Sequence, residues 1–186
     1  MKNLEEIYNE KCADIYSDIC EHLPTLKRYA EECEHVTEMG VRWVVSTYAL
    51  MMGKPKKLIS IDIDSIEKHG TKISDLVDLG NSVGIDFSFI VSDTRNIDIE
   101  ETDLLFIDTL HNYNQLKIEL ELHGNKAKKY LIFHDTTLFE YGDEKHNESE
   151  KKGLWPAIEE FLEVNPHWEI LERYTNNCGL TILKRK

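Results

Sequence analysis

The stretch from Val36 to Thr47 places an apolar run, an acid and a glycine directly before a helical pattern. In α/β proteins, a first strand that ends in this way delivers a nucleotide-like ligand to a helix N-terminus. A second apolar run, Leu58 to Asp62, also ends in an acid, at the position where such folds bind ribose hydroxyl groups. The separation between Glu38 and Asp62 in the sequence is close to the roughly 20 residues expected across one βαβ unit. The pattern therefore predicts a sheet that binds an adenosine-containing cofactor.

Strand-like and helical patterns alternate along the rest of the chain. Residues 1–34 predict an N-terminal helical extension, and Asn176 and Asn177 favour a turn between two C-terminal strands. This order predicts a single α/β domain with a doubly wound, Rossmann-like, mostly parallel sheet and an antiparallel C-terminal edge strand. The predicted strands are 35–39, 58–62, 86–91, 103–108, 130–135, 167–174 and 179–183, and the later helices are 46–52, 71–84, 112–123 and 154–164.

A polar, glycine-containing stretch at 140–153 interrupts the alternation after the fifth strand. It reads as an exposed loop. Because it follows a strand whose carboxyl end faces the ligand edge, we predict that it closes over the acceptor side as a mobile lid; an idle solvated loop is the alternative. In the helix before the fifth strand, the pattern predicts that Leu116, Leu120 and Leu122 face the core.

The charge of the chain argues against two classes of partner. It has 35 acidic and 22 basic residues and a formal net charge of −13. Binding to a nucleic-acid backbone requires clustered Lys and Arg, so neither nucleic acid nor an anionic membrane is an expected partner. The four cysteines show no Cys-x-x-Cys spacing, and the N-terminus lacks the apolar core of a signal peptide, which predicts a cytoplasmic protein. We expect a small-molecule partner, and a homo-oligomer is compatible with the sequence.

Several predicted strands end in an acid, and the carboxyl ends of parallel strands meet at one crevice, where open sheets bind ligands. A single acid after a strand is common, but four in register indicate a site. We expect them to converge with Glu38 and Gly40. The four acids are Asp62, Asp93, Asp108 and Asp135.

Short motifs at these strand ends carry a family resemblance. They are Glu38-Met39-Gly40, Asp62, Ser92-Asp93, Phe106-Ile107-Asp108 with His111 and Tyr113, and Ile132-Phe133-His134-Asp135. From about residue 17 to its end, the chain resembles class I S-adenosylmethionine-dependent methyltransferases. Within them it is similar to small O-methyltransferases of the catechol and cephalosporin-biosynthesis type, including relatives that act on sugars. The resemblance implies methyl transfer to a hydroxyl group of a small, sugar-containing acceptor.

The resemblance also implies which residues bind S-adenosylmethionine. The predicted contacts run from the methionine end of the cofactor through its ribose to its adenine. Glu38 and Gly40 face the methionine end, Ser46 and Thr47 contact its carboxylate, Asp62 accepts from the ribose hydroxyls, and Ser92 and Asp93 lie at the adenine.

The predicted catalytic group consists of Asp108, His111, His134 and Asp135. Asp108 and Asp135 match positions that hold a divalent metal in the metal-dependent relatives, and Mg²⁺ or a similar cation accepts two carboxylates with waters. His111 is the alternative, a general base, since imidazole titrates near neutral pH. For His134, three roles stay open: a ligand, a base or a packed histidine. We favour metal-assisted activation, because two adjacent carboxylates without a cation repel each other.

The chain departs from the family at the first motif, where Val44 replaces a second glycine and Arg42 replaces a small residue. A side chain there would crowd the cofactor. This leaves a second interpretation open, a non-catalytic S-adenosylmethionine-binding protein that acts as a sensor or partner. A nicotinamide-dependent oxidoreductase is disfavoured, because the chain lacks the Gly-x-Gly-x-x-Gly motif that lets a pyrophosphate approach the backbone.

Overall fold

The computed structural model describes residues 2–142, 144 and 152–186 of the 186-residue chain. Over these residues the chain forms seven β-strands, six α-helices and three short 3-10 turns. Most of the predicted lid at 140–153 lies outside the described residues, so the lid stays a prediction.

The elements follow one another largely as the sequence pattern predicts. The strands are β1 (His35–Met39), β2 (Lys57–Asp62), β3 (Asp86–Val91), β4 (Thr102–Ile107), β5 (Ala127–His134), β6 (Trp168–Tyr174) and β7 (Leu180–Arg185). The helices are α1 (Leu4–Ala13), α2 (Leu23–Ala30), α3 (Val45–Met52), α4 (Ile73–Ser82), α5 (Tyr113–His123) and α6 (Leu154–Val164). The 3-10 turns are Cys20–His22, Ile66–His69 and Gly124–Lys126.

The strands form one sheet in the order β3-β2-β1-β4-β5-β7-β6. The strands β1 to β5 pair with one another in parallel, and β7 pairs antiparallel with both β5 and β6. This arrangement confirms the predicted fold class. The chain builds outward from β1 to β3 and then from β4 to β6, so the direction of winding changes between β1 and β4. Such a switch leaves a crevice at the carboxyl ends of these two strands.

Helices cover both faces of the sheet, which explains the mostly apolar, buried character of its central strands. The helices α1–α4 enclose one core around Leu26, Leu50 and Leu76, and α5 and α6 enclose the other around Leu120 and Ile158. A strand between two cores has no polar face. Each fully buried leucine contributes roughly 1.5–3 kcal/mol of transfer free energy, so the two cores fix the position of the sheet.

The first two helices pack against α3. A capping box begins α1: Asn3 Oδ1 accepts from the amide of Glu6, and Glu6 Oε2 accepts from the amide of Asn3. Pro24 lies in the first turn of α2, where its missing amide hydrogen removes no helical hydrogen bond. Among the described residues, no helix combines the length and apolar character that a membrane span requires.

The predicted inward face of α5 is wrong at one position. Leu122 is 44% exposed, whereas Glu119 is fully buried. Positions three, four and seven residues apart share a helix face, so Leu116, Glu119, Leu120 and His123 point the same way and Leu122 does not. Glu119 is therefore buried because of its position on the helix, and a prediction made from the apolar residues alone does not detect it.

The ends of β1 and β4 meet at Gly40, where no side chain fits. Gly40 has a φ of +85°, and a Cβ there would lie 1.9 Å from the carbonyl oxygen of Asp108. The amide of Asp108 donates to the carbonyl oxygen of Met39 at 2.8 Å. The glycine of the first motif is therefore required by backbone contact with a residue that the sequence predicts to be catalytic.

Replacing Gly40 with alanine should destabilise the fold by more than about 3 kcal/mol, because the new methyl group meets backbone atoms in a left-handed conformation. Gly70 is the matched control: its φ is +88°, but nothing lies within 4 Å of its missing Cβ. Gly70→Ala should cost only about 1–2 kcal/mol. Urea unfolding of both variants measures the difference, and equal losses would contradict the close contact.

Candidate functional site

The carboxyl ends of the parallel strands open into one cleft of about 510 Å³. Its wall consists of the loops that follow β1, β2, β3 and β4, together with Asp135 after β5. Asp18 and Ile19 of the N-terminal segment also line it, as does Glu144. A cleft of this volume is in the range that holds a cofactor-sized ligand.

Most of the predicted site residues line this cleft, and three do not. Glu38, Thr47 and His134 lie beneath the wall and are 0%, 0% and 2% exposed. For Glu38 and Thr47, this burial argues against the predicted direct contact with a cofactor. The predicted residues on the wall are Gly40, Ser46, Asp62, Ser92, Asp93, Asp108, His111 and Asp135, and their individual roles toward a ligand stay predictions.

Asp62 holds the loop that follows β1. Its Oδ2 accepts from the amides of Val41 at 2.7 Å and Arg42 at 3.0 Å, and its Oδ1 accepts from the amide of Asp64 at 2.9 Å. A carboxylate offers about four acceptor positions, so Asp62 retains capacity for further donors. The same side chain therefore fixes the loop and presents an acceptor to the cleft.

Val44 does not crowd the cleft. It adopts a left-handed conformation with φ +63°, which is rare for a β-branched residue, and Arg42 does so with φ +48°. Val44 is fully buried in the core beside α3 and is not part of the cleft wall. The guanidinium of Arg42 stacks over the ring of Trp43 at 3.7 Å. The valine therefore costs backbone strain of order 1–3 kcal/mol rather than space for a ligand.

Glu38 lies beneath the first turn of α3, where three hydroxyl groups donate to its carboxylate. Its Oε1 accepts from Ser46 at 2.5 Å, and its Oε2 accepts from Thr47 at 2.8 Å and Ser60 at 2.5 Å. Burial raises the pKa of Glu38 to about 7, and the hydroxyl donors limit this rise. Because Ser46 lines the cleft, Glu38 fixes the start of α3 from behind the wall.

On the β3 side of the cleft, Asp93 is bound by its own loop. Its carboxylate accepts from the Arg95 amide at 2.9 Å, from Arg95 Nε and Nη2 at 3.0 and 2.7 Å, and from Asn96 Nδ2 at 3.2 Å. Hydrogen bonds from Arg95 lower the pKa of Asp93. The Ser92 hydroxyl lies beside this group. A ligand amine at this position would share Asp93 with the guanidinium.

Two carboxylates and two imidazoles meet where β4 and β5 end. His111 Nε2 lies 3.2 Å from Asp108 Oδ1 and 2.8 Å from Asp135 Oδ2. His134 Nδ1 lies 3.5 Å from Asp108 Oδ2 and 3.3 Å from Asp135 Oδ2. Within the described part of the chain, that nitrogen has no partner in hydrogen-bond geometry. The structure therefore brings the four predicted catalytic residues into one cluster.

The far side of each imidazole is also held. His111 Nδ1 lies 3.0 Å from Glu144 Oε2, and the His111 ring stacks on Phe139 with centroids 4.8 Å apart and planes 3° apart. His134 Nε2 lies 3.2 Å from the carbonyl oxygen of Asn177, to which it donates. These contacts direct Nε2 of His111 and Nδ1 of His134 toward the carboxylates.

Charge in the cluster is balanced. Burial alone would lower the pKa of each imidazole, but the facing carboxylates outweigh it and raise the pKa to about 10 for His111 and about 11 for His134. Burial alone would raise the pKa of Asp108 and of Asp135, but the imidazoles lower both. Opposite charges at this distance stabilise one another's ionised forms.

The cluster has the composition of a divalent-cation site. Asp108, His111 and Asp135 each offer one ligand atom, and these atoms lie within 4.8 Å of one another. Carboxylate oxygens suit hard cations such as Mg²⁺, and an added imidazole nitrogen extends the range toward Mn²⁺ or Fe²⁺. A cation held by the two carboxylates would either take His111 as a third ligand or turn it aside, since Nε2 contacts both.

Sequence reasoning missed a buried polar network behind the wall. Thr94, Thr109 and Gln115 line the cleft, and all three contact Glu119, which lies behind them. One signal was present: Gln115 and Glu119 are a helical turn apart on the apolar face of α5. A polar pair on such a face is a sign of a buried network.

No protein-family model matches the chain, and no curated protein sequence matches it. Solved structures do resemble it. An O-methyltransferase from Bacillus cereus in complex with SAH has a TM-score of 0.64 and 16% identity, over 98% of this chain and 90% of its own. A putative O-methyltransferase from Klebsiella pneumoniae has a TM-score of 0.61 and 13% identity, over 98% and 89%.

A third similar structure is magnesium protoporphyrin IX methyltransferase from Synechocystis PCC 6803 with bound SAM, with a TM-score of 0.61 and 12% identity, over 89% of this chain and 79% of its own. At these identities the likeness is one of fold. The chain has the fold of class I S-adenosylmethionine-dependent methyltransferases, as its sequence predicts.

The raised pKa of Glu38 predicts a pH-dependent contribution to stability. The folded state binds the proton more tightly than the unfolded chain, whose glutamate titrates near 4.5. The free energy of unfolding that proton binding by Glu38 adds is therefore fully present below about pH 4.5. It falls as pH rises to about 7 and no longer changes above that pH. Relative to Glu38→Gln, the wild type should lose about 3 kcal/mol between these limits.

Unfolding by urea at a series of pH values checks this, with the exposed substitution Glu67→Gln as a control. A wild-type stability that stays parallel to that of Glu38→Gln across the range would show that Glu38 titrates normally.

Proposed function

We propose that the protein is an S-adenosylmethionine-dependent O-methyltransferase that acts on a hydroxyl group of a small, sugar-containing acceptor. The observation that supports this most strongly is the pairing of two kinds of acidic group in one cleft of a methyltransferase fold. Asp62 at the end of β2 suits a ribose, and Asp108 with Asp135 at the ends of β4 and β5 suits the activation of an acceptor.

The cofactor end of the cleft fits S-adenosylmethionine. Asp62 keeps acceptor capacity toward the cleft, and Ser46 lines the cleft at the start of α3, where its hydroxyl donates to Glu38. Val44 lies in the core and takes no space from this end. Arg42 lines the cleft, with its guanidinium stacked over the ring of Trp43. Among the similar structures, the Bacillus cereus enzyme is in complex with SAH and the Synechocystis enzyme has bound SAM.

At the acceptor end, the chain supplies positioning and charge. When bound, S-adenosylmethionine supplies an activated methyl group, and a divalent cation polarises the acceptor oxygen. Asp108 and Asp135 would hold that cation and fix the acceptor oxygen beside it. His111 aims Nε2 at the same point, because Glu144 and Phe139 hold the other side of its ring. The imidazoles already offset the repulsion between the two carboxylates, so the support for metal-assisted activation over a lone histidine base comes from the ligand atoms of the cluster and their spacing.

The charge of the wall supports an uncharged acceptor. Seven acidic residues line the cleft, against the two arginines Arg42 and Arg95 and the imidazoles of His69 and His111, so the wall carries an excess of negative charge. A phosphate or carboxylate group on the acceptor would meet this negative potential and be repelled. A neutral polyol such as a sugar meets no such repulsion, and its hydroxyl groups match the surrounding acceptors.

A non-catalytic S-adenosylmethionine-binding protein is the second candidate. This candidate was suggested by Val44, which stands where the family has a glycine and was expected to crowd the cofactor. Val44 is buried away from the cleft, so this argument for a non-catalytic protein is weak. The close contacts among Asp108, His111 and Asp135 favour catalysis. Turnover separates the two candidates, since both require cofactor binding.

Asp62→Ala should weaken the binding of S-adenosylhomocysteine by roughly 1.5–3 kcal/mol, because the ribose hydroxyls lose a charged acceptor. Asp62→Asn, which keeps one acceptor oxygen for the loop amides, should lose less. Isothermal titration calorimetry measures both, with Glu67→Gln as an exposed control. Unchanged affinity in Asp62→Ala would remove Asp62 from the site. Binding of NAD by the wild type, without binding of S-adenosylhomocysteine, would contradict the proposed function.

Methyl transfer should depend on a divalent cation. With labelled S-adenosylmethionine and a panel of neutral sugars and catechol, product formation should fall after EDTA treatment and return with Mg²⁺ or Mn²⁺. Asp135→Asn should abolish the recovery, because a single carboxylate holds such ions weakly. The exposed substitution Glu163→Gln should leave it intact. Normal turnover by metal-free protein, combined with an inactive His111→Ala, would assign the chemistry to a histidine base.

A further inference from the structure

Glu119 is a carboxylate that lies behind the wall of the cleft without reaching it. It belongs to α5, and its side chain is 0% exposed. A buried carboxylate is costly unless hydrogen bonds satisfy it, and an apolar side chain of the same shape would serve a core better. Burial raises the pKa of Glu119, which reflects this cost. Packing alone therefore gives no reason for an acid here.

The contacts of Glu119 lead to two different loops of the cleft. Its Oε1 accepts from Thr94 Oγ1 at 2.5 Å, and its Oε2 accepts from Thr109 Oγ1 at 2.9 Å. Thr94 belongs to the loop after β3, and Thr109 to the loop after β4. One carboxylate thus bridges the two loops, with one oxygen for each.

Further bonds brace this bridge. Gln115 Nε2 donates to Glu119 Oε1 at 2.7 Å and to Thr94 Oγ1 at 3.0 Å. His123 Nε2 lies 2.7 Å from the carbonyl oxygen of Thr94 and donates to it. Three of these partners, Thr94, Thr109 and Gln115, line the cleft. The bridge is therefore attached directly to the surface that a ligand would contact.

The bridged loops carry the residues on which the proposed function depends. Thr94 follows Ser92 and Asp93 on the predicted adenine side, and Thr109 lies between Asp108 and His111 of the cluster. A shift in either loop would move one half of the site relative to the other. Displacements of about 1 Å are enough to cost large factors in rate.

We propose that Glu119 is a positioning residue that fixes the loop after β3 and the loop after β4 relative to each other. It thereby sets both the affinity for the cofactor and the placement of Asp108. This role in catalysis rests on the proposed function, whereas the coupling of the two loops does not.

The cofactor arm of the test compares two substitutions of the same residue. Glu119→Gln keeps an oxygen for Thr94 and Gln115 and an amide that donates to Thr109, so it should bind S-adenosylhomocysteine within about 3-fold of the wild type. Glu119→Leu removes every bond and should bind at least about 10-fold more weakly. Glu121→Leu, an exposed position on the same helix, is the control. Equal affinity of Glu119→Leu and the wild type would overturn the positioning role.

The second arm requires no cofactor, so it separates failure of this proposal from failure of the proposed function. Amide hydrogen exchange of the ligand-free protein should quicken at residues 92–96 and 108–111 together in Glu119→Leu. Thr94→Val should quicken only the first segment, and Thr109→Val only the second. These two variants also keep the test open if Glu119→Leu does not fold. Unchanged exchange in both segments, or a uniform rise across the whole sheet, would reduce Glu119 to an ordinary core residue.

Discussion

The cleft depends on the backbone contact between Gly40 and Asp108. These residues directly follow β1 and β4, the two strands between which the winding of the sheet reverses. A Cβ on Gly40 would lie 1.9 Å from the Asp108 carbonyl oxygen, so only glycine lets the strand ends approach this closely. The contact sets the loop after β1 beside the Asp108–His111–His134–Asp135 cluster. The proposed methyl transfer would ask mainly for such placement, since S-adenosylmethionine carries an already activated methyl group.

Buried carboxylates then hold the two sides of the cleft from behind. Glu38 receives three hydroxyl groups beneath α3, and Glu119 bridges the loops after β3 and β4. Both acids are fully buried, and burial raises the pKa of each. Such groups cost free energy of folding, and they fix orientation more sharply than apolar packing does because hydrogen bonds are directional. In the cluster itself, Asp108 and Asp135 are balanced by imidazoles instead, which keeps their charge available at the cleft surface.

The sequence predicted the fold, and it predicted the cluster, because strand ends and their acids follow from apolar periodicity and the topology of parallel sheets. It did not predict that Glu38 faces three hydroxyl groups rather than the cleft, since the direction of a side chain depends on how α3 packs. It also overestimated the effect of Val44, whose left-handed backbone turns the side chain into the core. The burial of Glu119 was not predicted, because the inward face of α5 was chosen from its apolar residues. That choice included Leu122, which lies on the exposed side of the helix. Periodicity locates strand ends well, but contacts between loops depend on tertiary packing.

The most direct test of this account is a crystal structure of the protein with S-adenosylhomocysteine and Mn²⁺, recorded with anomalous diffraction. We expect adenosine density over the ends of β1, β2 and β3, with the ribose hydroxyls donating to Asp62. We also expect one anomalous peak bound by Asp108 and Asp135. A nucleoside bound elsewhere, or a manganese ion that contacts neither carboxylate, would contradict this account.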